Sequence, residues 1–304
     1  MYESRLRLTT RCSLKYSPNE DIRLLWQETV QENVVIDSII QKATGIKAAK
    51  KKLVIQQKEH ALSHVQSLVL QGASVAVITQ IIPSARIGLW TKILKTLPSV
   101  IFCFVRKSLM QQLPTMSCLK RWGKQQSGAC PLCHQEQTNK HVLSNCSSPS
   151  ALQRYKLRHD AVLYWICNWI KPTLGKDVKL HADIMGFEPL SDLFRDVRPD
   201  IAVVTKTGAI HVCELTICHE TNLQKSKQYK LDKYADLQTK ATDEFKEHKI
   251  YLYTIELSVL GFLSDRNEFF QKVVHCKLPE LLYRNLMTNV INNSYNIYLN
   301  RNTK

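Results

Sequence analysis

No stretch of about 18 apolar residues occurs in this 304-residue sequence, so a membrane-spanning helix is not expected. The opening residues, MYESRLRLTTRCSLKYSPNED, lack the apolar centre of a secretory signal. There is no internal repeat of roughly 20 to 50 residues. Ten cysteines are present, yet their irregular spacing in a long chain argues against a disulfide framework and for a reducing compartment. Acid is also missing from one long stretch. Between Glu59 and Glu136 no aspartate or glutamate occurs, while Arg86, Lys92, Lys95, Arg106, Lys107, Lys120, Arg121 and Lys124 do. A surface of one sign is expected there.

The formal net charge is +16, the footprint of a polyanion partner. With no apolar span, nucleic acid is expected rather than membrane, and binding should weaken steeply with salt. An apolar content of 44% supports a packed core. The length allows one large domain or two to three small ones.

Residues 18 to 70 read as mostly helical. Pro18, Asn19, Glu20 and Asp21 suit a helix start, and Leu24, Leu25, Val30, Val34, Ile36, Ile39 and Ile40 follow at helical spacing. Lys47 and Lys50 to Lys52 form a basic cluster. His60 and His64 stand four apart, either as a metal pair or, more plainly, as surface or packing histidines. Pro83, Gly88, Pro98 and Pro114 should break the middle into short helices. Trp122 sits beside Lys120, Arg121 and Lys124, where it would either stack on a base or belong to the core.

The sharpest local pattern is Cys130-x2-Cys133-x7-His141-x4-Cys146. Zn²⁺ prefers four tetrahedral sulfur and nitrogen ligands, and a Cys₃His set supplies them. A full protein ligand set suits a structural ion rather than a catalytic one. His134 and Cys118 are nearby alternatives, less well placed because His134 abuts Cys133 and Cys118 lies earlier in the chain.

Residues 150 to 170 form an amphipathic helix with Tyr155, Val162, Leu163, Ile166, Trp169 and Ile170 on its apolar side. Residues 171 to 197 read as a loop-rich passage. Two β-branched runs follow, Ile201 to Thr205 and Ile210 to Ile217, separated by Lys206-Thr207-Gly208. A three-residue hairpin loop ends in a left-handed residue, the place of Gly208. That register pairs Ile201 with Cys213 and sets Asp200 opposite Glu214, side chains on one face and Cβ atoms about 5 Å apart. A two-residue turn would put the acids on opposite faces. A helix with four lysines comes next, on which Lys230 and Lys233 share a face. Lys249 to Val259 should complete a three-stranded sheet flanked by helices. Residues 266 to 275 and 279 to 300 read as helical, ending in an Asn-rich, frayed tail. Cys167, Cys213, Cys218 and Cys276 suit small buried positions.

Carboxylates on an apolar sheet need compensation. Mg²⁺ provides it, using one or two carboxylates with substrate phosphate and water. It polarises a phosphoryl oxygen and acidifies bound water, and a nearby lysine stabilises developing phosphate charge. Asp200 and Glu214 with Lys230 or Lys233 therefore point to phosphodiester hydrolysis, the bland alternative being strand-edge acids and a solvated lysine face.

Arg198-Pro199-Asp200, Glu214 and Lys230-x2-Lys233-Tyr234 together resemble the PD-(D/E)xK nuclease superfamily. One departure is plain: Thr216 stands where a lysine is expected two residues after Glu214. A lysine moved from strand to helix is similar to the restriction-like endonuclease of certain non-LTR retrotransposons. In those proteins a CCHC knuckle precedes the nuclease, as Cys130 to Cys146 does here, and the segment LPTMSCLKRWGKQQSGACPLC resembles the link from polymerase thumb to knuckle. The resemblance covers roughly residues 80 to 265 and implies the C-terminal part of a retrotransposon polyprotein. It further implies phosphate contact by Arg158 or His159, a packed or solvated histidine being the plain alternative. No Asp-Asp polymerase signature occurs, and Tyr234-Ala-Asp-Leu is not one.

The organisation expected is α+β. It comprises a helical basic region over 1–125, a zinc knuckle over 126–150, a restriction-endonuclease-like domain with a mixed sheet over 151–270, and a helical tail over 271–304. The resemblance implies a nuclear, Mg²⁺-dependent DNA endonuclease that positions duplex with its knuckle and with Lys120, Arg121, Lys124 and Arg158. Its nick would expose a 3′ end that primes reverse transcription in the full-length element. A catalytically inactive nucleic-acid-binding remnant is the competing expectation, and RNA binding through the knuckle a weaker third.

Overall fold

The computed structural model describes residues 46–264, 268–275 and 277–303. The helix start at Pro18 to Asp21, the apolar series from Leu24 to Ile40, and Cys276 lie outside the described residues. The chain divides into two compact units, Met1–Leu68 and Val69–Lys304. In the first, α1 (Ile46–Ser67) presents Lys51, Lys52, His60 and His64 to solvent. No described helix is long and apolar enough to cross a membrane.

The second unit is α+β. It opens with α2 (Ala73–Ile81), α3 (Ser84–Leu94), α4 (Ser99–Leu109) and α5 (Met116–Arg121). Pro83 and Pro98 lie in the linkers and begin the next helix, as a residue without an N–H can. Gly88 does not break the chain as expected. It sits inside α3 with nothing within 4 Å of a would-be Cβ, and a helical glycine costs only about 1 kcal/mol. The acid-free stretch is also less one-signed than its composition implies, because Lys92 meets Glu280 from far along the chain at 3.6 Å.

The long helix α6 (Pro149–Ile170) is capped by Ser148, whose hydroxyl accepts from the Ala151 N–H. It buries Val162, Leu163, Ile166 and Ile170, as its spacing foretold. Then come β1 (Lys179–Ala182), β2 (Ile201–Val204), β3 (Ala209–Cys218), α7 (Leu223–Lys233), α8 (Leu237–Lys240), β4 (Lys249–Ser258), α9 (Glu268–Val273) and α10 (Glu280–Leu299).

The sheet is mixed and four-stranded, in the order β1-β2-β3-β4, not three-stranded. The extra strand, β1, lies in the passage read as loop. Lys179-Leu180-His181-Ala182 contains no β-branched residue, so its strand form comes from pairing antiparallel with β2. The β2–β3 hairpin keeps the expected register, Ile201 with Cys213 through Val204 with Ile210, and Gly208 has φ +75°. β4 runs parallel to β3.

The sheet is covered on both faces. On one, Ile210 and Val212 pack with Ala202, Val204, Tyr234 and Leu237. On the other, Cys213, Leu215, Ile255 and Leu257 join a core that runs through Val162 and Ile166 of α6 to Ile93, Val105, Leu143 and Val290. Each such large apolar side chain stabilises the fold by about 1.5–3 kcal/mol when fully buried. Cys167, Cys213 and Cys218 are buried, as read.

The tail is not frayed. α10 buries Tyr283, Leu286, Met287, Val290 and Ile291, and the Arg154 guanidinium donates to the carbonyls of Asn300 and Thr303, both at 2.7 Å. Gly261, at φ +81°, lets the turn after β4 approach α10 so closely that a Cβ would meet Met287 Cγ at 2.7 Å.

Candidate functional site

Two groups of functional side chains converge. In the first, a tight turn carries Cys130 and Cys133, closed by the His134 N–H donating to the Cys130 carbonyl at 2.9 Å. His134 itself takes the left-handed conformation at φ +65° and faces solvent. A single wide helical turn, His141–Asn145, brings in His141, and Cys146 follows directly. The four ligand atoms lie within 4.8 Å of one another. Cys130 Sγ is 4.0 Å from Cys146 Sγ, Cys133 Sγ is 3.7 Å from Cys146 Sγ, and Cys133 Sγ is 3.3 Å from His141 Nε2. Zn–S bonds of about 2.3 Å in a tetrahedron require sulfurs roughly 3.8 Å apart. The cluster can therefore hold a metal such as zinc. Among the described residues this is the one group of three or more His, Cys, Asp or Glu placed to do so. His134 and Cys118 are not in it.

The supports of this cluster carried no sequence signal. The Tyr155 hydroxyl accepts from the Cys146 N–H at 3.1 Å and donates towards the Val142 carbonyl at 2.8 Å. Ser148 Oγ lies 3.3 Å from Cys146 Sγ, and Gln137 Nε2 lies 3.8 Å from Cys130 Sγ. Such outer groups orient metal ligands. Burial lowers the His141 pKa, which favours the neutral ring that ligates.

In the second group, the β2–β3 hairpin brings Asp200, the residue immediately before β2, together with Glu214 of β3. Glu214 Oε1 accepts from the Asp200 N–H at 3.0 Å, and Asp200 Oδ2 accepts from the Leu215 N–H at 2.7 Å. Glu214 is 0% exposed. Its Oε2 forms an ion pair with Lys230 of α7. Lys233, one turn on, reaches neither acid. It is exposed and donates to the Tyr234 hydroxyl at 3.1 Å, which in turn donates to the Arg198 carbonyl at 3.2 Å. The structure thus separates two lysines that the sequence left equivalent.

From the other side α6 contributes His159. Its Nε2 lies 3.4 Å from Asp200 Oδ2 and its Nδ1 3.2 Å from Asp160 Oδ1. Burial alone would raise the Asp200 pKa, but His159 and Lys230 outweigh it and hold the carboxyl below its ordinary value. Glu214 is shifted upward, by burial first and then by the Asp200 charge, against the pull of Lys230. His159 is shifted upward because its bond to Asp200 overcomes burial. The two carboxyls are thus pushed in opposite directions beside one lysine, a pattern that marks a candidate site.

No protein-family model matches the chain, and no curated protein matches it. The geometry is therefore the ground for any reading.

Arg158 is a correction. Expected at a phosphate, it is 1% exposed, donates to Ser294 Oγ at 3.0 Å, and offers no surface to a nucleic acid. Its position on the helix points it into the interface with α10, while His159, one residue on, reaches the acids. Lys120, Arg121 and Lys124 are exposed, as expected of a contact surface, although Arg121 also donates to the Gln111 carbonyl at 3.2 Å. Trp122 is 45% exposed rather than core.

Proposed function

We propose that the chain is a metal-dependent DNA endonuclease of retrotransposon origin, with Asp200 and Glu214 as metal ligands and Lys230 as the catalytic lysine. The single observation that carries this reading is the meeting of one helical ammonium with two acids, one just ahead of β2 and one on the adjacent strand β3 of a mixed sheet. The resemblance to the restriction-like endonucleases of certain non-LTR retrotransposons, PD-(D/E)xK relatives in which the lysine has moved to the following helix, supports the same assignment. A bound Mg²⁺ would supply the charge that polarises a phosphoryl oxygen and acidifies water.

The protein's own groups do the rest. The backbone N–H groups of Asp200 and Leu215 hold the two carboxylates in place. Lys230 offers its ammonium to a phosphate resting over them, where it stabilises charge that develops on the oxygens. His159 keeps Asp200 ionised and oriented. Zn²⁺ is the ion we assign to the Cys₃His cluster, as a structural staple, and Lys120, Arg121 and Lys124 would track the phosphate backbone. Such an enzyme would act in the nucleus, and in a full-length element its nick would expose the 3′ end that primes reverse transcription.

A second reading is favoured by one specific observation: both oxygens of Glu214 are already engaged, by the Asp200 N–H and by Lys230. That self-satisfaction suits a nucleic-acid-binding protein that has lost catalysis. Nicking of supercoiled plasmid in Mg²⁺ separates the two. Asp200→Ala and Lys230→Ala should each lower the rate by about 100-fold or more, the scale for removing a group that stabilises transition-state charge, with Lys233→Ala within a few-fold of wild type. No nicking by the wild type above background, with binding retained, would establish the binding protein instead.

A further inference from the structure

The acid pair does not account for every buried carboxylate on this sheet face. Glu256 of β4 lies beside Thr216 of β3 and is 2% exposed. Its Oε2 accepts from Ser264 Oγ at 2.6 Å, while its Oε1 is buried with no hydrogen-bond partner. A buried carboxylate oxygen left without a donor is costly, so its persistence calls for an occupant that donates. Glu256 lines a cleft of about 480 Å³ together with Ser264, Ile81 of α2, and Gln224, Lys227 and Gln228 of α7.

The place of this cleft ties it to the acids. Thr216, the neighbour of Glu256, follows Glu214 by two residues on β3 and shares its face. Lys227 precedes Lys230 by one turn of α7, on the same stripe. A ligand in the cleft therefore sits beside whatever rests over Asp200 and Glu214. Its required chemistry can be read from the walls. One buried carboxylate oxygen has no donor, the Gln224 amide and Lys227 ammonium can donate, and Ile81 offers an apolar surface to a flat ring. Cytosine and adenine carry an exocyclic amino donor next to a ring-nitrogen acceptor. Thymine presents a carbonyl in the amino position, which would face the carboxylate.

We infer that the cleft is a subsite for one unstacked nucleobase whose pairing edge sets an exocyclic amino group beside a ring-nitrogen acceptor, cytosine or adenine, next to the phosphate handled by the acid pair. This rests on the endonuclease reading above, since the occupant is taken to belong to the same strand. Taking a base out of the stack for recognition has precedent as a physical strategy, and is least costly where the strand is already open.

The test is selection of bound sequences from a randomised oligonucleotide, duplex and single-stranded, in Ca²⁺ at fixed salt. Wild type is compared with Glu256→Gln. One position should be depleted of thymine by about 10-fold or more in wild type, the usual discrimination of a base-edge contact. Glu256→Gln places an amide donor at the same spot, so thymine should be accepted there and the preference reversed or erased. No positional preference in wild type, or one unchanged in Glu256→Gln, overturns the inference. If Glu256→Gln loses its helical circular dichroism, Gln224→Ala at the cleft rim replaces it and should weaken the same preference. An unchanged preference in Gln224→Ala counts against the subsite. Plasmid nicking is scored separately. Base preference without nicking sinks the endonuclease reading alone, and nicking without base preference sinks the subsite alone.

Discussion

The Cys/His cluster and the acid–lysine site are built over very different lengths of chain. All four ligands of the first fall between Cys130 and Cys146, and two of them share one tight turn. The second takes His159 from α6, Asp200 from just ahead of β2, Glu214 from β3 and Lys230 from α7. A local site can be recognised from spacing, because a few bonds of backbone limit where its ligands can go. A distributed site is recognisable only in fragments, because its geometry waits on the packing of separate elements. The same contrast applies to stability. The cluster's segment packs Cys130, Cys146 and Ala151 in a small group of their own and anchors to the main core through Val142 and Leu143, whereas the acids sit in a sheet covered on both faces.

The contrast is sharpened most at the Cys/His cluster. After loading with zinc, Cys146→Ser or chelation should take the proposed ion from one to none and release the loop around it, while the sheet persists. Structural zinc sites in finger peptides are worth on the order of 10 kcal/mol or more, so the loss of amide protection near Cys130 to Cys146 should be large. Metal analysis with hydrogen exchange measures it, and unchanged protection would mean that the burial of Val142 and Leu143 folds the loop unaided.

Breaking the ion pair in the distributed site comes next. Glu214→Ala leaves Lys230 without its partner and should cost about 3 kcal/mol, the low end for a buried pair, since the Lys230 side chain is 23% exposed. Glu214→Gln keeps an acceptor for the Asp200 N–H and should cost less. Urea denaturation distinguishes them, and equal costs would mean that the charge, not the backbone bond, dominates.

A smaller effect lies in pH. Asp200 is depressed, so its contribution is present above the ordinary aspartate value and is lost as pH falls through the lower folded value. His159 is raised, so its contribution is full below the ordinary histidine value and is lost as pH rises through the higher folded one. The pair therefore stabilises most between about pH 4 and 6.5, bounded by the ordinary values of the two groups. Melting temperature followed against pH should decline on the alkaline side in wild type, and His159→Gln should flatten that limb. An identical alkaline limb in the variant would remove His159 from the site.

The smallest effect concerns neither site. Lys120→Ala with Lys124→Ala should reduce the slope of log affinity against log salt by about 0.9 for each duplex phosphate no longer neutralised. Melting temperature should stay unchanged, since both side chains are exposed. An unchanged slope would remove Lys120 and Lys124 from the proposed phosphate contact.

Much of this was legible beforehand, and the failures share a cause. The hairpin register followed from Gly208 and the turn length, and α6 from its apolar stripe and Ser148-Pro149 start. β1 was invisible because its four residues have weak strand character and are held by β2. Arg158 was expected at a phosphate from the resemblance, which carries no information about the packing that lets α10 cover it. The tail looked frayed because asparagines are poor helix formers, but Arg154 and the core hold it. Glu256 gave no sign at all, being one acid in an apolar strand.

By itself the sequence determined the Cys₃His spacing, the hairpin that sets Asp200 opposite Glu214, and a basic chain with enough apolar residues for an α+β core. These follow from covalent spacing and the periodicity of helix and strand. Only the tertiary structure decided that Lys230 rather than Lys233 meets the acids, that His159 joins them, that Arg158 is sealed away, and that Glu256 faces a cleft. Each of those depends on the angle at which one element lies across another, which is set by the shape of the packed core and is written in no single segment.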